Sequence, residues 1–326
     1  MIAFAFGDVR PEQRKRARAG LINWTEKREA LLGMVSEPHL LPDIKLPILP
    51  QALVEFSNLA DDPRCEIRRL ASVVESDTGL TCQLLKAVNA SVNGLRHRIS
   101  SANHAIVTLG IQRTKLQLIT VALRNSLPAK QLKVINLATF WNANLERAIF
   151  ARQIARLLKA DEYLAFSAAL LVDFLLPVLT NDRADRYIEF LQQTEIAPCE
   201  LCQFEQQHFG YDHAAAAARV MFEWGFPDDL ICCVMLHHQG LTVLADPDLH
   251  QSAAAAVAVA SLVPDPLRQS AAGLKELQNL SEVWNAFDLE QIAENVYQEY
   301  TPQALDSANY IPLRGHVRKL QQAAPV

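Results

Sequence analysis

Leu164-Ala-Phe-Ser-Ala-Ala-Leu-Leu-Val-Asp-Phe-Leu-Leu-Pro-Val-Leu179 is the stretch on which the fold turns. It is among the most apolar runs of the chain, yet it carries a single carboxylate, Asp173. A carboxylate in such surroundings loses its hydration and needs a partner or a proton. A His immediately before it would make a metal-binding pair. Val172 holds that place and offers a metal no atom. The run is short for a membrane span and contains both Asp and Pro. It reads as a core helix interrupted at Pro177, which removes a helical hydrogen bond.

Outward from this run the pattern is helix after helix, with no alternating strand pattern of useful length. Toward the C-terminus, helices are expected over about 183–193 and 199–208. Gly210 can end the second of these, and Asp212 can cap the next, which begins His213-Ala-Ala-Ala-Ala-Ala218. That helix stops at Gly225, and Pro227 opens another that delivers His237-His238 at its end. Residues 248–305 supply further helices, and 306–326 read as a weak tail.

Toward the N-terminus, a helix over about 137–158 has Leu145, Ile149, Ile154, Leu157 and Leu158 as its buried stripe. Another runs from about Gln112 to Leu127, stopped by Pro128. Ser101 can cap a helix ending at Gly110. Asp77 can cap one carrying Leu80, Leu84, Leu85 and Val88, stopped by Asn93-Gly94. Pro63 and Pro50 open two more, bearing Ile67, Leu70, Ala71 and Val74, and Leu53, Val54, Phe56 and Leu59. Leu40–Pro50 is an extended linker. Before it, Pro11 opens a helix to about Leu32 with Arg14-Lys15-Arg16-Ala-Arg18, which is either a phosphate- or partner-docking arm or a solvated face, because Glu12, Glu26 and Glu29 interrupt the charge.

Composition narrows the function. Half of the 326 residues are apolar and 21% are charged, as in an ordered globular protein. Only 11 are Gly, which favours helix over turn-rich sheet. A net charge of −5 disfavours a general nucleic-acid binder. The N-terminus has no basic region before its short apolar run and is a poor signal peptide. The expectation is a cytoplasmic protein outside the membrane. The six Cys (65, 82, 199, 202, 232 and 233) read as buried reduced thiols, with Cys199-x-x-Cys202 only half of a zinc knuckle. No Gly-rich phosphate loop and no Gly-x-Ser-x-Gly elbow is present.

The ordered signals resemble the HDOD domain, a divergent branch of the HD-type metal-dependent phosphohydrolases found in bacterial signalling proteins. The resemblance covers about 43–265. It rests on Leu46-Pro-Ile-Leu-Pro50, Ser76-Asp-Thr-Gly-Leu80, Leu84-Leu-Lys-Ala-Val-Asn-Ala-Ser91, Ile99 through Gly110, Phe140-Trp141, Phe209-Gly-Tyr-Asp-His213, Trp224-Gly-Phe-Pro227 and His237-His238. It implies an all-α helical bundle. Here that bundle has an N-terminal helical extension and linker (1–42) and C-terminal helices and tail (266–326). It also implies regulation through protein contacts rather than catalysis.

This chain departs further from the HD-type pattern. The His that commonly stands two residues after the Trp is Ala143, and the His-Asp pair is Val172-Asp173. Hydrolysis of this type needs His and Asp on several helices to hold metals that activate water. Losing two imidazoles removes coordinating atoms outright. What remains is a vestigial pocket of Asp173, His213, His237 and His238, without assigned metal ligands or cofactor.

Asp173 is then either a structural carboxylate hydrogen-bonded to His213, His237 or His238, or part of a pocket sensing a nucleotide-like small ligand. Of His237 and His238, adjacent on a helix, at most one is expected to line it. The preferred reading is a catalytically silent signalling module whose partner is another signalling protein. Its input would come from a separate chain, the N-terminal arm or the C-terminal helices. The alternatives are a metal-dependent phosphohydrolase acting on a nucleotide or cyclic dinucleotide, and a nucleic-acid binder using Arg14–Arg18.

Overall fold

The computed structural model describes residues 22–34, 46, 49–60, 62, 64–91, 99–126, 132–196, 199–307 and 310–323. The basic cluster at Arg14–Arg18, the Asn93-Gly94 stop and the Pro128 stop lie outside them. Among the described residues every regular element is helical.

The chain divides into two compact units. One comprises Met1–Ile44, Gln131–Val220 and Pro227–Val326, and the other Lys45–Lys130 with Met221–Phe226. The expected boundaries at 42 and 265 do not coincide with this division. Residues 266–326 fall in the larger unit.

The smaller unit is built from α2 (Gln51–Ala60), α3 (Ile67–Glu75), α4 (Thr78–Ser91), α5 (Ala102–Leu109) and α6 (Ile111–Ser126), with α1 (Trp24–Met34) preceding them in the other unit. Leu53, Phe56, Leu70, Val74, Leu84 and Leu118 are fully enclosed and form its core. Asp77 accepts from the Leu80 N–H at 2.9 Å, and Ser101 caps α5 through the His104 N–H at 3.1 Å. Asn89 clamps the return of the chain. Its amide donates to Ile99 O and accepts from Ile99 N, both at 2.8 Å.

The larger unit is organised around α7 (Leu137–Leu158), started by Asn136, which accepts from the Thr139 N–H at 3.0 Å. Against α7 pack α8 (Glu162–Leu171), the all-buried α15 (Ala253–Ala260) and α17 (Leu289–Tyr300). Between α8 and α15 in sequence come α9 (Leu176–Asp182), α10 (Ala184–Ile196), α11 (Leu201–Phe209), α12 (His213–Glu223), α13 (Asp228–Leu236) and α14 (Leu241–Ala245). Then follow α16 (Gly273–Val283) and, after α17, α18 (Leu313–Ala323).

Three expectations need correction. The expected stripe of α7 is incomplete, because Leu145 and Leu157 are only partly buried while Asn142, Asn144, Glu146 and Arg147 are enclosed. A helix covered on nearly all sides must place polar groups inward where partners await them. The apolar run breaks at 172–175, before Pro177, and Pro177 sits in the first turn of α9. There its missing N–H costs nothing. Third, the weak tail contains α18. Glu146 of α7 accepts from the Leu313 N–H at 3.0 Å and from the Tyr310 hydroxyl at 2.5 Å. By length and composition Glu162–Asp182 would suffice to cross a membrane, although most of it is buried inside the protein.

Candidate functional site

Asp173 lies in the turn between α8 and α9, where the Leu176 N–H donates to its carbonyl at 2.9 Å. This turn points a carboxylate at α7. Oδ2 accepts from Arg147 Nη1 at 2.5 Å and from Gln269 Nε2 at 2.8 Å. Oδ1 stands 3.5 Å from His213 Nε2 and 3.5 Å from His237 Nε2, too long for strong hydrogen bonds, and has no other partner. Burial would push this carboxyl's pKa up. The Arg147 guanidinium overrides it, with His213 and His237 adding to the effect, and holds the pKa well below the usual carboxylate range.

The principal partner of Asp173 is therefore Arg147, which the sequence reading did not single out. Two signals pointed to it: a buried carboxylate requires a counter-charge, and Arg147 stands one turn after Ala143 on the same face of α7. Gln269 is delivered by the loop after α15. There Asp265 accepts from the Leu267 and Gln269 N–H groups at 2.8 and 3.0 Å.

His213 opens α12, and Asp212 accepts from the Ala215 N–H at 2.8 Å. Behind His213 stands Glu205 of α11, also unnoticed in the sequence. It accepts from the His213 backbone N–H at 2.8 Å, pairs with Nδ1 at 2.6 Å and takes the Tyr187 hydroxyl at 2.7 Å. Burial disfavours an imidazolium here. Glu205 outweighs it, aided by Cys202 and Asp173, so the pKa of His213 rises well above its ordinary value. The counter-charge that decides the state of His213 is thus Glu205 rather than Asp173.

His237 and His238 both reach the centre, contrary to the expectation of one. That expectation assumed a continuous α-helix, but α13 ends at Leu236 and the pair continues as a 3₁₀ turn. His237 Nδ1 donates to Val234 O at 2.6 Å, leaving Nε2 as a lone pair with no partner. His238 Nε2 lies 2.9 Å from His213 Nε2 and 3.1 Å from Gln269 Oε1. Burial lowers the pKa of both, and for His238 the neighbouring His237 and His213 lower it further.

Asp173, His213, His237 and His238 each offer one ligand atom, and these atoms lie within 4.8 Å of one another. Glu205 on His213 Nδ1 and the Val234 carbonyl on His237 Nδ1 are the kind of second contact that orients metal-bound imidazoles. With two buried atoms lacking partners, the set fits one borderline cation such as zinc. It does not fit a two-metal centre. Ala143 and Val172 contribute no donor atoms, and the second oxygen of Asp173 is already taken by Arg147. Cys202, Glu205 and His213 form a second close group, in which burial pushes the Cys202 thiol up to about 11. Cys199 belongs to neither group among the described residues. Beside Asp173 opens a cavity of about 260 Å³ lined by α7 and the 265–269 loop. Ala143 lines this cavity and Val172 does not.

An all-helical protein with this interior site falls in the class of HD-like domains. The HDOD domain model matches residues 46–240, more than half of the chain, and the chain belongs to that family. Among solved structures it is similar to a Shewanella amazonensis SB2B protein provisionally assigned as a phosphohydrolase, at 20% identity and TM-score 0.59, covering 85% of this chain and 98% of that one. It is also similar to a Geobacter sulfurreducens HDOD domain protein of unknown function, at 18% identity and TM-score 0.55, covering 92% and 95%. A Marinobacter aquaeolei VT8 protein provisionally assigned to signal transduction aligns at 20% identity and TM-score 0.57, covering 86% and 65%. At these identities the likeness is one of fold. A search of curated proteins finds no match.

Proposed function

We propose that this protein is a cytoplasmic bacterial regulatory module that does not hydrolyse phosphate esters and transmits a signal through protein contacts. The observation that carries this reading is the Arg147 guanidinium on Asp173. A fixed side-chain cation compensates the carboxylate that an HD-type hydrolase would give to a metal. Ala143 and Val172 leave two further ligand places of an HD-type site without donor atoms. A route from the site to the surface supports the reading. His237 caps the end of α13, and α1 lies along α13. None of the residues of α1 is buried. Arg28 and Thr25 of α1 both hold Asp228 at 2.7 Å. Asp228 opens α13 and His237 closes it, so α13 spans from α1 to the site.

The second reading, a metal-dependent phosphohydrolase, is favoured by the four-ligand group and its oriented imidazoles. If an ion were held by Asp173, His213, His237 and His238, it would lower the pKa of bound water. The two readings separate in one assay. The full chain is incubated with Mn²⁺, Fe²⁺, Mg²⁺ or Zn²⁺ and a panel of phosphomonoesters and cyclic dinucleotides. The regulatory reading expects no turnover above metal alone. Turnover that is lost in Asp173→Ala would overturn it.

A further inference from the structure

Helix α1 lies against α13 of the same unit without burying a single one of its own residues. By contrast, every residue of α15 is enclosed. The half-buried positions of α1 are Trp24, Lys27, Arg28, Leu31 and Leu32, the spacing of one helical face. Lys27 and Arg28 thus face the protein, while Glu26 and Glu29 are exposed. What the two cations meet is acidic. Arg28 Nη1 donates to Asp228 Oδ1 and Thr25 Oγ1 donates to Asp228 Oδ2, both at 2.7 Å. Lys27 Nζ stands 3.9 Å from Asp246, and Asp229 follows Asp228 in the first turn of α13. Ion pairs at half-exposed positions hold weakly, and salt screens them.

Under α1 lies Cys232. Its thiol donates to Trp24 O at 3.8 Å and is fully enclosed. Burial pushes it up to about 12, with Asp228 and Asp229 adding to the effect and Arg28 and Lys27 of α1 opposing it. Cys233 is equally enclosed, but it is turned about 100° around the helix. The charge of Asp161, the cap of α8, acts on Cys233. Loss of α1 would therefore uncover Cys232 and leave Cys233 covered.

We propose that α1 is a displaceable strap over an acidic face of α13, and that the protein partner displacing it presents a helix of the same kind. That helix carries an arginine for Asp228, with apolar side chains one turn to either side, as Trp24, Leu31 and Leu32 flank Arg28. Charge complementarity sets the class of partner. Once Lys27 and Arg28 leave, Asp228 and Asp246 lose these counter-charges, and a basic helix restores them where an acidic one does not. The proposal rests on the regulatory reading and names the contact that the partner takes over.

The test alkylates the full chain with iodoacetamide and reads Cys232 and Cys233 separately by peptide mass spectrometry. In the wild type Cys232 should label faster than Cys233. Raising NaCl from about 10 mM to about 1 M should speed Cys232 alone. Arg28→Ala should raise the Cys232 rate by up to ~5-fold. A synthetic peptide of residues 22–34, added in excess, should return that rate toward the wild-type value. Asp228→Asn should raise the rate as well, but there the peptide should give no protection, because the carboxylate it needs is gone.

Equal rates at the two thiols, or Cys232 labelling indifferent to salt, overturns the proposal. So does a peptide that leaves Arg28→Ala unprotected or protects Asp228→Asn equally well. The wild-type measurements decide the matter even where a variant fails to fold, which shows as both thiols labelling together. Metal-dependent hydrolysis would sink the regulatory reading whether or not the strap opens, and a strap that stays closed would leave that reading standing.

Discussion

Arg147 and Asp173 are each almost completely enclosed, at 3% and 1% side-chain exposure. Removing two charges from water costs several kcal/mol apiece, and their attraction repays that only with good geometry and further hydrogen bonds. Here Gln269 supplies a further bond to the carboxylate. Deleting one partner leaves the other charge buried and alone. Arg147→Ala is therefore expected to destabilise the larger unit by about 3–5 kcal/mol. The double change Arg147→Met with Asp173→Leu removes both charges at similar volume and should recover most of that loss. Urea denaturation of the two variants checks this. If the double variant is as unstable as the single one, the pair matters for more than its charges. Burial lowers the pKa of all three neighbouring imidazoles, and only at His213 does a carboxylate, Glu205, reverse the effect. His213, backed by Glu205, favours the charged form, while His237 and His238 favour the neutral one.

One carboxyl group, Glu146 of α7, holds the start of α18. Glu146 is fully enclosed, and burial raises its pKa from 4.5 to about 7 against the opposing bonds from Tyr310 and Leu313. Between those values the folded state keeps a proton that the unfolded state has lost. Stability therefore falls as pH rises from about 4.5 to about 7 and levels off above, by up to about 3 kcal/mol. Glu146→Gln should flatten that slope in denaturant midpoints taken from pH 5 to 8. A slope unchanged in the variant would assign it to another group. His213, whose pKa is raised, gives up stability only as pH climbs from 6.5 through its folded value, so that component should survive the substitution. At this scale the helices were largely legible in the sequence. The expected 137–158 span is the observed α7, and Ser101, Asp77 and Gly210 mark ends as expected. What escaped the sequence was the enclosed polar side of α7. Periodicity finds apolar positions and says nothing about which buried polar residues will meet a partner far along the chain.

Across the whole molecule, a linear reading places boundaries where composition shifts, and so it set them near 42 and 265. The observed division instead takes discontinuous pieces, with Met221–Phe226 grouped with Lys45–Lys130. No local signal encodes such an exchange, because it depends on which helices pack together rather than on how any one of them reads. The candidate site shows the same limit. Asp173, His213, His237 and His238 could be picked out one by one, whereas Glu205 and Gln269 became visible only through contacts made 8 and 96 residues away. The smaller unit has a core of its own, in which Leu84 is 0% exposed. Leu84→Ala should cost about 2–5 kcal/mol there. A protein with two such cores need not unfold in one step, so the loss should be uneven. Hydrogen exchange is the appropriate readout, since it reports opening segment by segment. Amides of 51–91 should lose protection by the full amount while those of 137–171 keep theirs. Equal loss in both segments would show that the two units unfold as one.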